Sequence, residues 1–223
     1  MARRRPTAFT HLAPSNGPAV RLDAIVCSTN NLDGVFVCPS PSTQKEHHVS
    51  VTTAQDRLAG SWQFNPVHSS ADFSVKYLVA KFRGSFEELD ATLADGVLSG
   101  SAKIASISVK QESLVGHLMA PDFFDAEQYP EISFQSNSIE TDGDDVTVEG
   151  ELTLKGVTKP IHATGTLEGP TEDFMGNTRL GFTLETTIDR TEFGVSWNAD
   201  LPKGGKALAN EVTLVVELEF TKV

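Results

Sequence analysis

Histidine, arginine and carboxylate side chains set within apolar stretches are where chemistry would begin in this chain, and His68, His117, His162, Arg83, Arg190 and Asp122 are the ones so placed. An imidazole can ligate a metal, move a proton near neutral pH or hydrogen-bond a polar group. No two of these histidines stand at i, i+4 and no cysteine lies near them, so a zinc site is only weakly signalled. His68 is read as a partner for a ligand's polar end or for backbone. His68 or His117 with Asp122 is the one cluster from which acid–base catalysis could be built. His162 stands one residue out of phase with Ile161 and Ala163 and is expected on an outer face. For Arg190 two readings stand: an ion pair with Asp189, Glu192 or Asp122, or a planar fork facing a ligand oxygen, since that fork suits phosphate. No Gly-x-Ser-x-Gly elbow, Gly-rich phosphate loop or His-Glu-x-x-His is present, so catalysis has no warrant and no cofactor is expected.

The charge budget narrows the partners. The chain carries 18 Lys+Arg and 30 Asp+Glu, a net charge of −12. Its first fifty residues are net basic (Arg3, Arg4, Arg5, Arg21 and Lys45 against Asp23, Asp33 and Glu46), so the acidic surplus lies in the remainder. A domain so acidic repels phosphate backbones, and nucleic acid is excluded as the expected partner.

The elements that must position these groups are strands. From Trp62 onward apolar and polar residues alternate: Trp62 and Phe64; Phe73, Val75 and Tyr77; Phe82, Gly84 and Phe86; Val97 to Val109 with a change of parity near Ile104 and Ile107. The pattern resumes at Ile132 and Phe134, Val146 to Leu154, Ile161 to Leu167, Leu180 to Ile188 and Val212 to Phe220. Period two marks strands with one buried face. The intervals hold turn residues, among them Asp95-Gly96, Asp142-Gly143 and Lys155-Gly156. Short connections make neighbours antiparallel, and some eight such strands must close into a barrel or stack as a sandwich. Gly84, Gly100, Gly150 and Gly165 inside strand patterns favour the bent strands of a barrel. Such a barrel either fills its interior with side chains or holds one small ligand.

One stretch breaks the pattern. His117 to Phe134 carries Phe123, Phe124, Tyr129 and Phe134 and is bracketed inside by Pro121 and Pro130, so any helix within it is short. Adjacent Phe123 and Phe124 cannot both use one narrow face. The segment reads as a short helical lid or plug between two β-rich halves.

Residues 1–57 differ from the rest. They are rich in Pro, Ser, Asn and Thr with no sustained period, and read as an irregular or disordered extension. Two origins stand open: an untranslated stretch, with the natural start at Val51, or a genuine tail. Cys27 and Cys38 lie there and are read as unpaired thiols. The start MARRRPTAF lacks the apolar run of a signal peptide, and no stretch approaches the roughly 18 apolar residues of a membrane span. The expectation is therefore a cytoplasmic protein without a transmembrane segment.

Four signatures together resemble the YceI-like polyisoprenoid-binding family: Pro66-Val67-His68-Ser69 followed by Phe73-Ser74-Val75-Lys76; His117-Leu118 with Asp122-Phe123-Phe124-Asp125 ending in Tyr129-Pro130; the run from Gly150 to Pro160; and Arg190-Thr191-Glu192-Phe193-Gly194-Val195. The resemblance covers residues 59–223 as one domain. It implies an all-β, lipocalin-like antiparallel eight-stranded barrel whose apolar channel holds an isoprenoid lipid, a polyprenyl phosphate or a quinone, for storage or transport. It also implies that members are often exported and that some are homodimers. Two departures stand out: Tyr77 where members commonly have histidine, and Gly116 where an acidic residue commonly precedes the position of His117.

With that resemblance the expected channel residues are Phe73, Val75, Tyr77, Phe82, Phe86, Leu114, Leu118, Phe123, Phe124, Phe134, Phe182, Phe193 and Trp197, with His68, His117 and Arg190 as polar contacts. Arg190 would meet a diphosphate or a quinone oxygen. The other outcomes are a barrel enzyme acting on a lipid, or a structural or stress-related barrel with a filled core.

Overall fold

The computed structural model describes residues 54–223. Cys27, Cys38, the residues before 54 and the Val51 start lie outside the described residues. The alternation from Trp62 onward folds into β1 (Ser61–Tyr77), β2 (Ala80–Phe86), β3 (Leu89–Ala94), β4 (Val97–Lys103), β5 (Ile107–Val109), β6 (Glu131–Asp142), β7 (Asp145–Leu154), β8 (Val157–Glu172), β9 (Thr178–Asp189) and β10 (Leu208–Lys222). Two short helices accompany them, α1 (Ala54–Leu58) and α2 (Val115–Met119).

All strand pairings are antiparallel, and the ladder from Trp62↔Lys222 to Tyr77↔Leu208 joins β1 to β10 and closes the ring. The ten segments make an eight-stranded barrel. The lower half of β1 pairs with β3 and its upper half with β2, so β2 and β3 are two halves of one bent strand. β4 and β5 are likewise halves of the next, separated by a 3-10 turn at Ile104–Ser106. That turn is the physical source of the parity change near Ile104: one turn of helix resets which face the next side chain meets.

Above this turn the wall parts. β4 pairs with β6, ending at Lys103↔Glu131, whereas β5 leaves to pair with β2. Residues 110–130 connect the two edges through a 3-10 turn at Glu112–Leu114, then α2, then tight turns. Leu118 and Phe123 from this segment are buried in the upper core, which makes it the helical lid of the barrel.

The lower half is solid. Leu58, Trp62, Leu93, Leu98, Val148, Leu167, Leu180, Phe182 and Phe220 pack there with almost no exposure. Phe182 and Phe220 meet edge to face at 6.2 Å, and each large apolar side chain so buried stabilises the fold by roughly 1.5–3 kcal/mol. α1 closes this end. Leu58 enters the core and its carbonyl accepts from Trp62 Nε1 at 3.3 Å. Arg57 donates to the carbonyls of Gly143, Leu167 and Gly169, tying the helix to the β6–β7 turn and to β8.

Two glycines are forced by the bend of the wall. A Cβ on Gly165 would lie 1.8 Å from the carbonyl oxygen of Thr183 on β9, and one on Gly84 would lie 2.5 Å from the Phe73 ring. The first contact is with backbone, which cannot swing away.

Candidate functional site: an apolar cavity under the lid

The upper half of the barrel is hollow. A cavity of about 390 Å³ occupies it, within the size range of small-molecule sites. The inward positions of β1 (Phe73, Val75, Tyr77) and β2 (Phe82, Phe86) form one wall. Ile132, Leu152, Leu154 and Ile188 from β6, β7 and β9, and Leu208, Val212 and Leu214 from β10, form the others. Leu114, His117, Leu118, Phe123 and Phe124 roof it from the lid. Below it a second apolar void of about 150 Å³ shares Phe86, Ile132, Leu152 and Leu214 with the first and reaches into the top of the lower core, where Leu98, Leu184 and Leu218 line it. The apolar space is therefore long and narrow. Its rim lies at Tyr77 and Gln111, lining residues that are exposed.

The lid is anchored by rings. Phe123 stacks on Trp197 with centroids 5.2 Å apart, and His117 stands edge-on to both, at 4.8 and 5.1 Å. His117 Nε2 lies 3.1 Å from Asp122 Oδ2. A carboxylate only accepts, so the proton sits on Nε2. Lys155 Nζ donates to the carbonyls of Pro121 and Gly194 at 2.6 and 3.0 Å, and the backbone N–H of Trp197 donates to Asp122 at 3.3 Å. These bonds join the lid to the segment after Phe193.

Arg190 is the charged group in the wall, 4% exposed. Its three proposed carboxylate partners are engaged elsewhere. Asp189 accepts from the hydroxyl and N–H of Thr191, Glu192 pairs with Lys159 at 3.1 Å, and Asp122 holds His117. None of the ion pairs among the described residues includes Arg190, so the ion-pair reading is corrected. Arg190 instead donates from Nε to Ala209 O at 2.9 Å and from Nη1 to Val195 O at 2.5 Å, while its buried Nη2 has no partner. Burial pushes the guanidinium below its ordinary value, and the nearby Asp189 charge opposes that. The Thr191 hydroxyl and N–H hold Asp189 itself below the usual carboxylate range.

Of the expected channel residues, Phe73, Val75, Tyr77, Phe82, Phe86, Leu114, His117, Leu118, Phe123, Phe124, Arg190 and Trp197 do line the cavity. Phe134 faces the lower void instead. Three placements are corrected. Phe182 belongs to the solid lower core, because its inward phase on β9 comes below the hollow part. Phe193 sits in the 3-10 turn Arg190–Phe193, 2% exposed within the packed upper core rather than on the cavity wall. His68 lies outside the barrel, in the stretch between Asn65 and Ser70 where the β1–β10 register slips, and its Nδ1 is 3.1 Å from Glu219 Oε1. His162 is exposed beside buried Ala163, on the outer face as expected. Gln111 and the aliphatic residues of β6, β7, β9 and β10 complete the wall without having been singled out. Their signal was the same inward phase as the aromatics, whereas Gln111 carried none.

The geometry defines a class: a closed, lipocalin-like antiparallel β-barrel, solid at one end and hollow, apolar and lidded at the other. The chain belongs to the YceI-like family, whose YceI-like domain matches residues 62–220. It is similar to a UPF0312 protein of Pectobacterium atrosepticum, 31% identical over 179 residues that make up 76% of this chain and 90% of that protein. The structure resembles a Campylobacter jejuni YceI protein (TM-score 0.57, 25% identity, 65% of this chain and 87% of that one). It also shares its fold with a polyisoprenoid binding domain from Saccharophagus degradans implicated in plant cell wall breakdown (TM-score 0.56, 13% identity, 75% of this chain and all of that one).

Proposed function

We propose that this protein binds one long apolar lipid of the isoprenoid type, a polyprenyl phosphate or an isoprenoid quinone, with the tail inside the barrel, for storage or transport and without catalysis. The observation that carries this reading is the shape and lining of the interior: an apolar space of about 390 Å³ prolonged by a narrower one of about 150 Å³. Polar groups (Tyr77, Gln111, His117, Arg190) stand at or near its upper end. A branched hydrocarbon chain fits such a space and a compact polar molecule does not. The family and the polyisoprenoid binding domain with the same fold support the choice of lipid. Arg190, with one nitrogen unpaired, is the residue proposed to meet the lipid's phosphate or carbonyl oxygen.

Each buried methylene contributes up to about 0.8 kcal/mol before ordering costs. Affinity should then rise by roughly tenfold per isoprene unit until the space is full, and level off. Titration with isoprenoid alcohols of increasing length, read by Trp197 fluorescence against a Trp62-only background (Trp197→Phe), tests this. An affinity indifferent to length would defeat the proposal.

A further inference from the structure

The hairpin joining β1 to β2 stands at the rim of the cavity and is built against ordinary turn chemistry. Tyr77 pairs with Ala80, which leaves Leu78 and Val79 as a two-residue loop. Leu78 is left-handed at φ 52°, where such loops favour glycine, asparagine or aspartate. Both side chains point outward from the fold: Leu78 is 45% and Val79 98% exposed. Leu78 N–H donates to Ala207 O at 2.8 Å, which fixes the tip in place.

The outer face beneath the tip is basic, in a chain of net charge −12. Lys76 stands directly opposite Lys81 in the ladder, and Arg83 lies on the same face opposite Ser74. Lys110 follows Val109, the partner of Gly84, and so comes beside Arg83. All four are exposed, and none forms an ion pair among the described residues. Glu112 and Glu211 flank the strip without pairing to it. Like charges facing each other across a ladder destabilise a sheet, and a water-exposed Leu-Val tip gains nothing from solvent. Both costs vanish at a surface that is anionic outside and apolar beneath.

We propose that this hairpin docks the protein onto an anionic lipid bilayer. Leu78 and Val79 enter the interfacial region while Lys76, Lys81, Arg83 and Lys110 lie over the headgroups. Tyr77 and Phe82 alternate with these cations and line the cavity, so docking brings the rim to the membrane, where an apolar lipid could enter. The purpose assigned to docking rests on the proposed lipid-binding function, whereas the docking itself does not.

The test is flotation of the full chain with vesicles of phosphatidylcholine alone or mixed with phosphatidylglycerol. Two variants separate the contributions. Leu78→Asn/Val79→Gly installs favoured turn residues, so folding is preserved while the apolar tip is lost. Lys76→Ser/Lys81→Ser/Arg83→Ser removes three charges and leaves the basic residues near the N-terminus in place. The expected result is flotation on the anionic vesicles alone, weakened by added salt and reduced roughly 100-fold in the charge variant, with clear loss in the tip variant. No flotation of the parent chain, or equal flotation of parent and both variants, overturns the proposal. The first of those results leaves a protein partner for the tip. Lipid extracted from a protein that does not float would leave the cavity reading intact, so the two ideas fail separately.

Discussion

Phe123 of the lid stacks on Trp197 at 5.2 Å with 29° between the ring planes, and this pair fastens the lid across the hollow end of the barrel. Stacked aromatic pairs contribute about 0.5–1.5 kcal/mol beyond their buried area. Phe123→Ala is expected to lower stability by roughly 3–5 kcal/mol in urea unfolding. In stopped-flow release experiments it should also speed lipid dissociation more than association, because the roof rather than the tail contacts is lost. An unchanged release rate would show that the lid does not retain the ligand.

Arg190→Ala removes the donors to Val195 and Ala209 and should cost stability, by about 3 kcal/mol for two charge-assisted bonds in a buried place. The functional effect separates from the structural one by ligand. A polyprenyl phosphate should lose far more affinity than an uncharged quinone of equal length. Equal losses, measured by calorimetry, would reduce Arg190 to a structural role.

Gly165→Ala brings a Cβ into the Thr183 carbonyl oxygen of the neighbouring strand. Since backbone must move, the variant is expected to be destabilised by more than about 3 kcal/mol or not to fold. Gly116→Ala, with open space around its Cβ, is the control and should unfold like the parent.

Acid should loosen the solid end. Asp173 accepts from the N–H and side-chain amide of Asn177, the N–H of Met175 and Arg179 Nε, and is held well below the usual carboxylate range. Burial pushes Glu219 up, but the bonds from Asn65 and His68 and the charge of Arg179 outweigh it and leave it lowered. For carboxylates depressed in the folded state, the stabilisation is present above the unfolded value near 4 and is lost as pH falls through the folded one. The urea midpoint should therefore begin to fall near pH ~5 and keep falling below pH ~3, and Asp173→Asn should flatten that fall. A slope identical to the parent's would remove Asp173 from the account.

Much of this was legible in the residues. Period two identified the strands and which side chains point inward, and the change of parity at Ile104 corresponds to a real 3-10 turn. The lid's short helix, Val115–Met119, ends before Pro121, and the stretch with Phe123 and Phe124 between the two prolines is built of tight turns instead. What the pattern does not carry is height along the barrel axis. Phe182 and Phe86 have the same inward phase, yet one lies in the solid core and the other on the cavity wall. His68 failed for a different reason: the register slip between Asn65 and Ser70 changes phase without a sequence mark that period two can detect. For Arg190 the surrounding carboxylates were visible, but their engagement with Thr191, Lys159 and His117 depends on the folded geometry.

The most direct measurement is organic-solvent extraction of the full chain, purified from cells that make isoprenoid lipids, followed by mass spectrometry of the extract. The account predicts a bound isoprenoid, a polyprenyl phosphate or quinone, in near-stoichiometric amount, and a much smaller amount from a variant whose cavity is narrowed by Val212→Trp. An extract without lipid, together with no saturable binding of added isoprenoids, would contradict it.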